Sequence, residues 1–425
     1  MPRSICFVTH AHLRSNPRLV KEAAAASAAG YDVSVVYGHY IPRLYEADAK
    51  IVADHPDWTV YPIRWSWEGG ARVRRLWTAF RQRVARQMLR RASLERLAAL
   101  AHARTHTEMY RAARKAGADL YVAHNLEALP AASRAAEHHG SALGFDAEDF
   151  HRGELPDTPD NERASALKAR IEALFMPRCD YLTAASDGIA QAYTAALRVD
   201  RPTTVLNAFP LSDRDVQPPE EIVEAEIVPG TQSLFWFSQT IGPGRGLETA
   251  VQALRSLPDS VVLSLRGRWA PGYETELMGL AQDVGVADRV RHLDPVHPDD
   301  LIPLSQLHHV GLALEQTSPL NRNLCLTNKL LTYMVAGIPS VATDTIGQRP
   351  IAEAVPEAVR LVPENDAGAF AEAVTSLLEA GPRARAAATQ AAEAQLNWDR
   401  EKTKLLAIWE SDRVRSPFPS DSQTA

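Results

Sequence analysis

Short apolar runs rich in β-branched residues recur along the chain, and longer stretches with helical spacing separate them. In the first half, runs at 5–9, 31–37, 120–123, 142–145 and 181–184 predict strands. The clearest helix opens at Ser15-Asn16-Pro17, a cap residue followed by proline at the first helical position, and ends at Gly30. The second half restarts the pattern with runs at 234–237, 261–265, 290–293, 310–314 and 340–342. Alternation of this kind predicts an α/β chain of two doubly wound parallel-sheet domains facing each other across a cleft. The expected boundaries are a first domain at 1–208, a Pro- and acid-rich linker or hinge at 209–230, and a second domain at 231–396. A last helix at 397–413 returns to the first domain, and 414–425 reads as a disordered tail.

Composition narrows the class. The 425 residues are 45% hydrophobic and 23% charged, which excludes a disordered, collagen-like or disulfide-scaffold chain. No apolar run approaches the ~20 residues of a membrane span, and the apolar start is too brief for a secretory signal. Cys6, Cys179 and Cys325 are an odd set without motif spacing, so reduced thiols and a cytoplasmic location are expected. A net charge of −6 argues against general nucleic-acid binding.

In open parallel sheets, ligands bind beyond the carboxyl ends of the strands. His10, His12, Ser15 and Asn16 follow the first strand; His124, Asn125 and Glu127 follow the third run; Asp146, Glu148, Asp149 and His151 follow the fourth. Singly these read as loop or cap residues, and together they predict a small-molecule rim. In the second half, Ser238-Gln239-Thr240-Ile241-Gly242-Pro243-Gly244-Arg245-Gly246 leads into a helix at 247–254. Glycines let a phosphate approach the backbone, the helix start offers free N–H groups, and Arg245 adds a guanidinium; the alternative is a surface turn. Thr327-Asn328 reads as a cap before Lys329, whose charge opposes the helix dipole unless an anion such as a diphosphate lies beside it. No Walker sequence, CxxC or HExxH occurs, no metal set is expected, and Asp146-Ala147-Glu148-Asp149 reads as loop and cap rather than a metal clamp.

These segments together resemble the bacterial family 4 glycosyltransferases of GT-B fold. The resemblance rests on Ser15-Asn16-Pro17-Arg18, Ala29-Gly30-Tyr31-Asp32-Val33, His124 through Pro130, Val205-Leu206-Asn207, Gly244 through Glu248, Asn328 through Pro339, and Asn397-Trp398-Asp399-Arg400. It implies transfer of a sugar from a nucleotide-sugar, a co-substrate rather than a cofactor, to a saccharide or lipid-linked acceptor. It also implies retention of configuration, no metal, and a role in polysaccharide or cell-envelope synthesis. By the same resemblance His124 contacts the donor sugar, and Arg245 and Lys329 stabilise the leaving diphosphate. Ser238, Thr240, Gly242, Gly244, Gly246, Arg268, Asn321, Asn328 and Thr332 are the expected donor-side residues. His10, Asn16, Asp146 and Glu148 are the acceptor-side candidates. Three positions depart from the family pattern: Thr240 stands where an arginine is common, and Leu324 and Thr332 stand where two glutamates are common. The competing readings are a catalytically silent GT-B binding protein and a nucleotide-sugar epimerase.

Residues 71–91 hold eight arginines and no acidic residue, while Val73, Trp77, Phe80, Val84 and Met88 share one helical stripe. Such a segment reads as a contact with an anionic membrane surface or, alternatively, as a domain helix whose stripe faces the core.

Overall fold

The computed structural model describes residues 4–89, 94–411 and 414. It divides into two compact units: residues 1–205 with 402–425, and residues 206–401. Arg90 and Arg91 of the basic stretch, and the expected tail except the buried Val414, lie outside the described residues.

The first unit holds a seven-stranded parallel sheet in the order β3-β2-β1-β4-β5-β6-β7. Its strands are β1 (Ser4–Thr9), β2 (Asp32–His39), β3 (Thr59–Arg64), β4 (Leu120–His124), β5 (Ala142–Ala147), β6 (Tyr181–Ala184) and β7 (Thr203–Thr204). Every residue of β4 and β5 is buried, as expected for strands covered by helices on both faces.

The second unit holds six parallel strands in the order β10-β9-β8-β11-β12-β13. These are β8 (Gln232–Ile241), β9 (Val261–Trp269), β10 (Val290–Leu293), β11 (Val310–Ala313), β12 (Ser340–Thr343) and β13 (Val359–Val362). Side chains alternate across a strand, and β8 shows the result: Leu234 and Trp236 belong to one apolar core, Phe235 to the other. Both sheets therefore have the doubly wound order, with a switch point between β1 and β4 in one and between β8 and β11 in the other.

Two expectations change. The 209–230 stretch is not a free linker. It contains the turn Leu211–Asp215 and the helix Glu220–Glu226, and the second unit begins at Leu206. Its buried Glu226 pairs with Arg266 and with His308 at 3.0 Å, so this stretch is fastened to the second sheet. Strand β8 also runs on to Ile241 across a bulge after Phe237, so Thr240 is a strand residue opposite Arg268 rather than a loop residue. At that bulge the Ser238 carbonyl presses on Gly267, where a Cβ would lie 2.3 Å from the oxygen; only glycine fits. The helix Trp398–Glu410 starts in the second unit and ends in the first. Its beginning is tied by the Trp398 N–H to the Phe209 carbonyl at 2.9 Å, and its end by Trp409, whose indole N–H donates to Tyr181 at 2.8 Å.

Candidate functional site

At the switch point of the first unit, register places Thr9, His124 and Asp146 in one row across β1, β4 and β5, with Thr183 of β6 beyond. The helix Pro17–Ala28 lies against this row and sends Arg18 and Glu22 into it. Arg18 gives Nε and Nη2 to the two oxygens of Asp146 at 2.6 and 2.8 Å, a bidentate pair with both partners buried. His124 is 1% exposed. Its Nε2 is 3.2 Å from Glu22 and its Nδ1 3.5 Å from Asp146, ion-pair distances rather than aligned hydrogen bonds. Burial would lower the imidazole pKa, but the two carboxylates raise it above its ordinary value.

Two expected acceptor-side contacts, Asp146 and Asn16, are committed elsewhere. His124 and Asp146 are strand residues of a buried charge network; Arg18 and Thr183 take the oxygens of Asp146, while neither ring nitrogen of His124 has an aligned hydrogen-bond partner. Asn16 is 2% exposed and caps its helix, accepting from the Leu19 N–H at 3.2 Å while its amide reaches Thr9. Glu22, His124 and Asp146 also form the one group among the described residues whose ligand atoms lie close enough to hold a metal. The Arg18 guanidinium already occupies both oxygens of Asp146, and its positive charge opposes a cation there.

The exposed rim lies one residue further out. Asn125, directly after β4, adopts a left-handed φ of 68° and accepts a hydrogen bond from Thr9 at 2.8 Å. That turn carries Glu127, whose carboxylate lies 3.6 Å from His10 and 3.9 Å from His102. Burial would push the Glu127 pKa up, but His10, His102 and His151 around it bring it to about 2. Burial pushes His102 down to about 4. Glu148, just beyond β5, is raised to about 7, chiefly by burial and then by its neighbours Asp149 and Asp146, against the pull of Arg18. A cavity of about 780 Å³ opens beside Glu127 and His102; Arg86, Arg163, Lys168 and Arg170 line its other walls with Asp160. Of the four acceptor-side candidates, His10 reaches this rim, while Glu148 lies by Asp146, Asp149 and Arg18 just beyond β5. Glu127 and His102 complete it, and the sequence signal for Glu127 was its place one turn after β4.

In the second unit the loop between β8 and the helix Leu247–Leu254 occupies the switch point. Gly244 and Gly246 take left-handed φ values of 68° and 69°, and a Cβ on Gly246 would meet Leu314 at 3.1 Å. No side chain caps the Leu247–Leu254 helix, so its first N–H groups remain available to an anion. Arg245 is half-buried at that helix start, and Arg322 donates to the Gly244 carbonyl at 2.7 Å, fixing the turn. Gly242 is buried behind it, while Thr240 and Arg268 are exposed neighbours on adjacent strands.

Lys329 has a different partner from the expected one. Its Nζ lies 3.1 Å from Oε1 of Glu315, which follows β11 and also accepts from Thr327. Burial would raise the Glu315 pKa, but Lys329 and then Arg245 bring it below its ordinary value. The carboxylate of Glu315, rather than a diphosphate, therefore offsets the conflict between Lys329 and the helix dipole. Thr332 and Leu324 are buried in the second unit, so neither offers a substitute for the missing glutamates. Asn328 is exposed at the helix start, and Asn321 accepts a weak bond from Cys325.

Comparison with known proteins bears on both units. Residues 233–380 match the family Glycosyl transferases group 1. The D-inositol 3-phosphate glycosyltransferase of Mycolicibacterium smegmatis is 26% identical over 277 residues, 63% of this chain. The chain spans 60% of the length of that relative. Among solved structures, Anabaena HepE in complex with UDP superposes with a TM-score of 0.68 at 16% identity, covering 95% of this chain and 98% of that one. Sucrose-phosphate synthase from Thermosynechococcus elongatus gives 0.70 at 14% identity, covering 96% and 98%. The strand orders and these neighbours establish a GT-B fold, two Rossmann-like domains, whose residues 233–380 match the group 1 glycosyl transferases.

Proposed function

We propose that the chain is a glycosyltransferase that uses a nucleotide-sugar held by the second unit and an acceptor held by the first. The observation that carries this reading is the uncapped helix start at Gly244-Arg245-Gly246, at the switch point of a sheet within the segment matching the group 1 transferases. As the glycosidic bond to the diphosphate breaks, negative charge builds on the leaving oxygens. The N–H groups at the head of Leu247–Leu254, with the Arg245 guanidinium, would meet that charge without reorganising. Lys329, already paired with Glu315, would act through the local field rather than by direct contact. Solved complexes of the HepE neighbour with UDP and with UDP-glucose support a uridine diphosphate donor. The rim of His10, Glu127 and His102 beside the cavity supports acceptor binding in the first unit, with an anionic acceptor favoured by its four cationic walls. Transfer would proceed with retention, without metal or resident cofactor, in polysaccharide or cell-envelope assembly.

The test is a thermal-shift panel with UDP, GDP, ADP, TDP and CMP. A ligand at 100 times its dissociation constant stabilises by about 2.7 kcal/mol, a shift of several degrees. UDP should give that shift, and Arg245→Ala should abolish it together with turnover. No shift with any nucleotide would overturn the reading in favour of the silent binding protein, which the buried Thr332 and Leu324 favour.

A further inference from the structure

We propose that the helix Ala71–Leu89 docks the chain onto the surface of an anionic lipid bilayer, lying in the interfacial plane. A helix that folds against a core turns its apolar stripe inward. This helix does the reverse. Its buried residues are Thr78 and Ala85, and its attachment is polar: Gln82 donates to the Ala101 and His102 carbonyls at 3.1 and 3.0 Å, and Arg81 pairs with Glu108. The apolar residues face outward instead. Val73 is 72% exposed, Phe80 59%, Trp77 56% and Leu76 53%, with Met88 at 49% and Val84 at 38%.

At about 100° per residue these six positions occupy an arc of roughly 120°. Exposed Arg72 and Arg83 border one edge and exposed Arg74 the other. Trp67, 60% exposed and 4.5 Å from the Arg75 guanidinium, adds a second indole next to the helix. An apolar strip interrupted by the exposed Gln87, with an aromatic pair and cationic edges, matches a bilayer interface: acyl chains below, anionic headgroups alongside. A second copy fits poorly, because the helix carries six arginines and no acidic residue, and two such faces would repel. Arg86 and Leu89, which line the 780 Å³ cavity, lie on the opposite face of the helix from this strip, so docking leaves that cavity on the side away from the lipid. The docking proposal does not rest on the proposed function.

The experiment is flotation of the full chain with vesicles of phosphatidylcholine alone, or with about one third phosphatidylglycerol. Binding is expected only with the anionic lipid. Arg72→Gln and Arg83→Gln should each lower the partition coefficient roughly fivefold. Trp77→Ser with Phe80→Ser should lower it by at least about tenfold. These positions are exposed, so the variants should melt and bind nucleotide as the parent does, which separates lost docking from misfolding and from failure of the donor reading. Three results would overturn the proposal: no flotation on anionic vesicles, flotation unaffected by the Trp77/Phe80 change, or a parent dimer in sedimentation that this change converts to a lipid-indifferent monomer.

Discussion

Arg18→Leu is the substitution whose cost follows most directly from the geometry. The guanidinium satisfies both oxygens of Asp146, at 2.6 and 2.8 Å, and lies 3.6 Å from Glu22, all without solvent contact. Leucine would fill part of the volume but leave two buried carboxylates with Thr183 and His124 as their remaining partners. Removing one member of a buried pair costs about 3–5 kcal/mol, because the surviving charge keeps its desolvation penalty. At about 2–4 °C per kcal/mol for a unit of this size, melting of the first unit should fall by roughly 6–20 °C. The loss should depend on pH. In the parent, burial would raise the Asp146 carboxyl but Arg18 holds it well below the ordinary range, so its contribution is intact between pH 5 and 8 and is lost only as pH falls below the unfolded value of 3.8. In the variant only His124 and Thr183 oppose burial, so that pKa rises; protonation of Asp146 and of His124 then relieves the strain at low pH. The deficit should therefore be larger at pH 8 than at pH 5. Scanning calorimetry measures it, with Arg18→Leu/Asp146→Leu as the companion, expected to regain more than half. A single variant within about 1 kcal/mol of the parent at pH 8 would refute the reasoning.

Two further predictions follow from other parts of the molecule. Gly246→Ala places a Cβ 3.1 Å from Leu314 at a φ of 69°, so it should cost about 1–2 kcal/mol and weaken UDP binding, read by calorimetric titration; unchanged affinity would dissociate this turn from the donor site. Glu148→Gln removes a carboxyl raised to about 7, whose protonated form adds stability below the unfolded value near 4.5 and loses it as pH rises through 7. The parent should thus lose about 1–3 kcal/mol between pH 5 and 8 in urea unfolding, and the variant should lose much less.

The buried strands were legible because continuous apolar runs have few alternatives: the runs at 120–123 and 310–314 fall on β4 and β11, in which every residue is buried. The missed strands are β3, β7 and β13, all at sheet edges. β3 contains Pro62 and β7 is two residues long, so neither gives an apolar run. For the site, the Gly244-Arg245-Gly246 turn could be read locally, since positive φ and a following helix leave a mark in sequence. The fates of His124, Asp146 and Lys329 could not. Each looked free because its partner, Glu22, Arg18 or Glu315, is brought in by packing and not by spacing. The outward stripe of Ala71–Leu89 was equally hidden, because periodicity reveals that a helix has an apolar face without revealing which way it points.

The Trp398–Glu410 helix sets an order on biogenesis. Trp409 is wholly buried against Phe7 and Tyr31, and gives its indole proton to Tyr181, all residues of the first unit. Residues 206–401 are synthesised between those partners and Trp409. A nascent chain that has exposed its whole first sheet therefore still carries an unfilled aromatic socket, and it waits through nearly two hundred further residues for the plug. During that interval the first unit exposes apolar surface that Trp409 covers in the finished chain, and a chain that stops before Trp409 keeps that notch open.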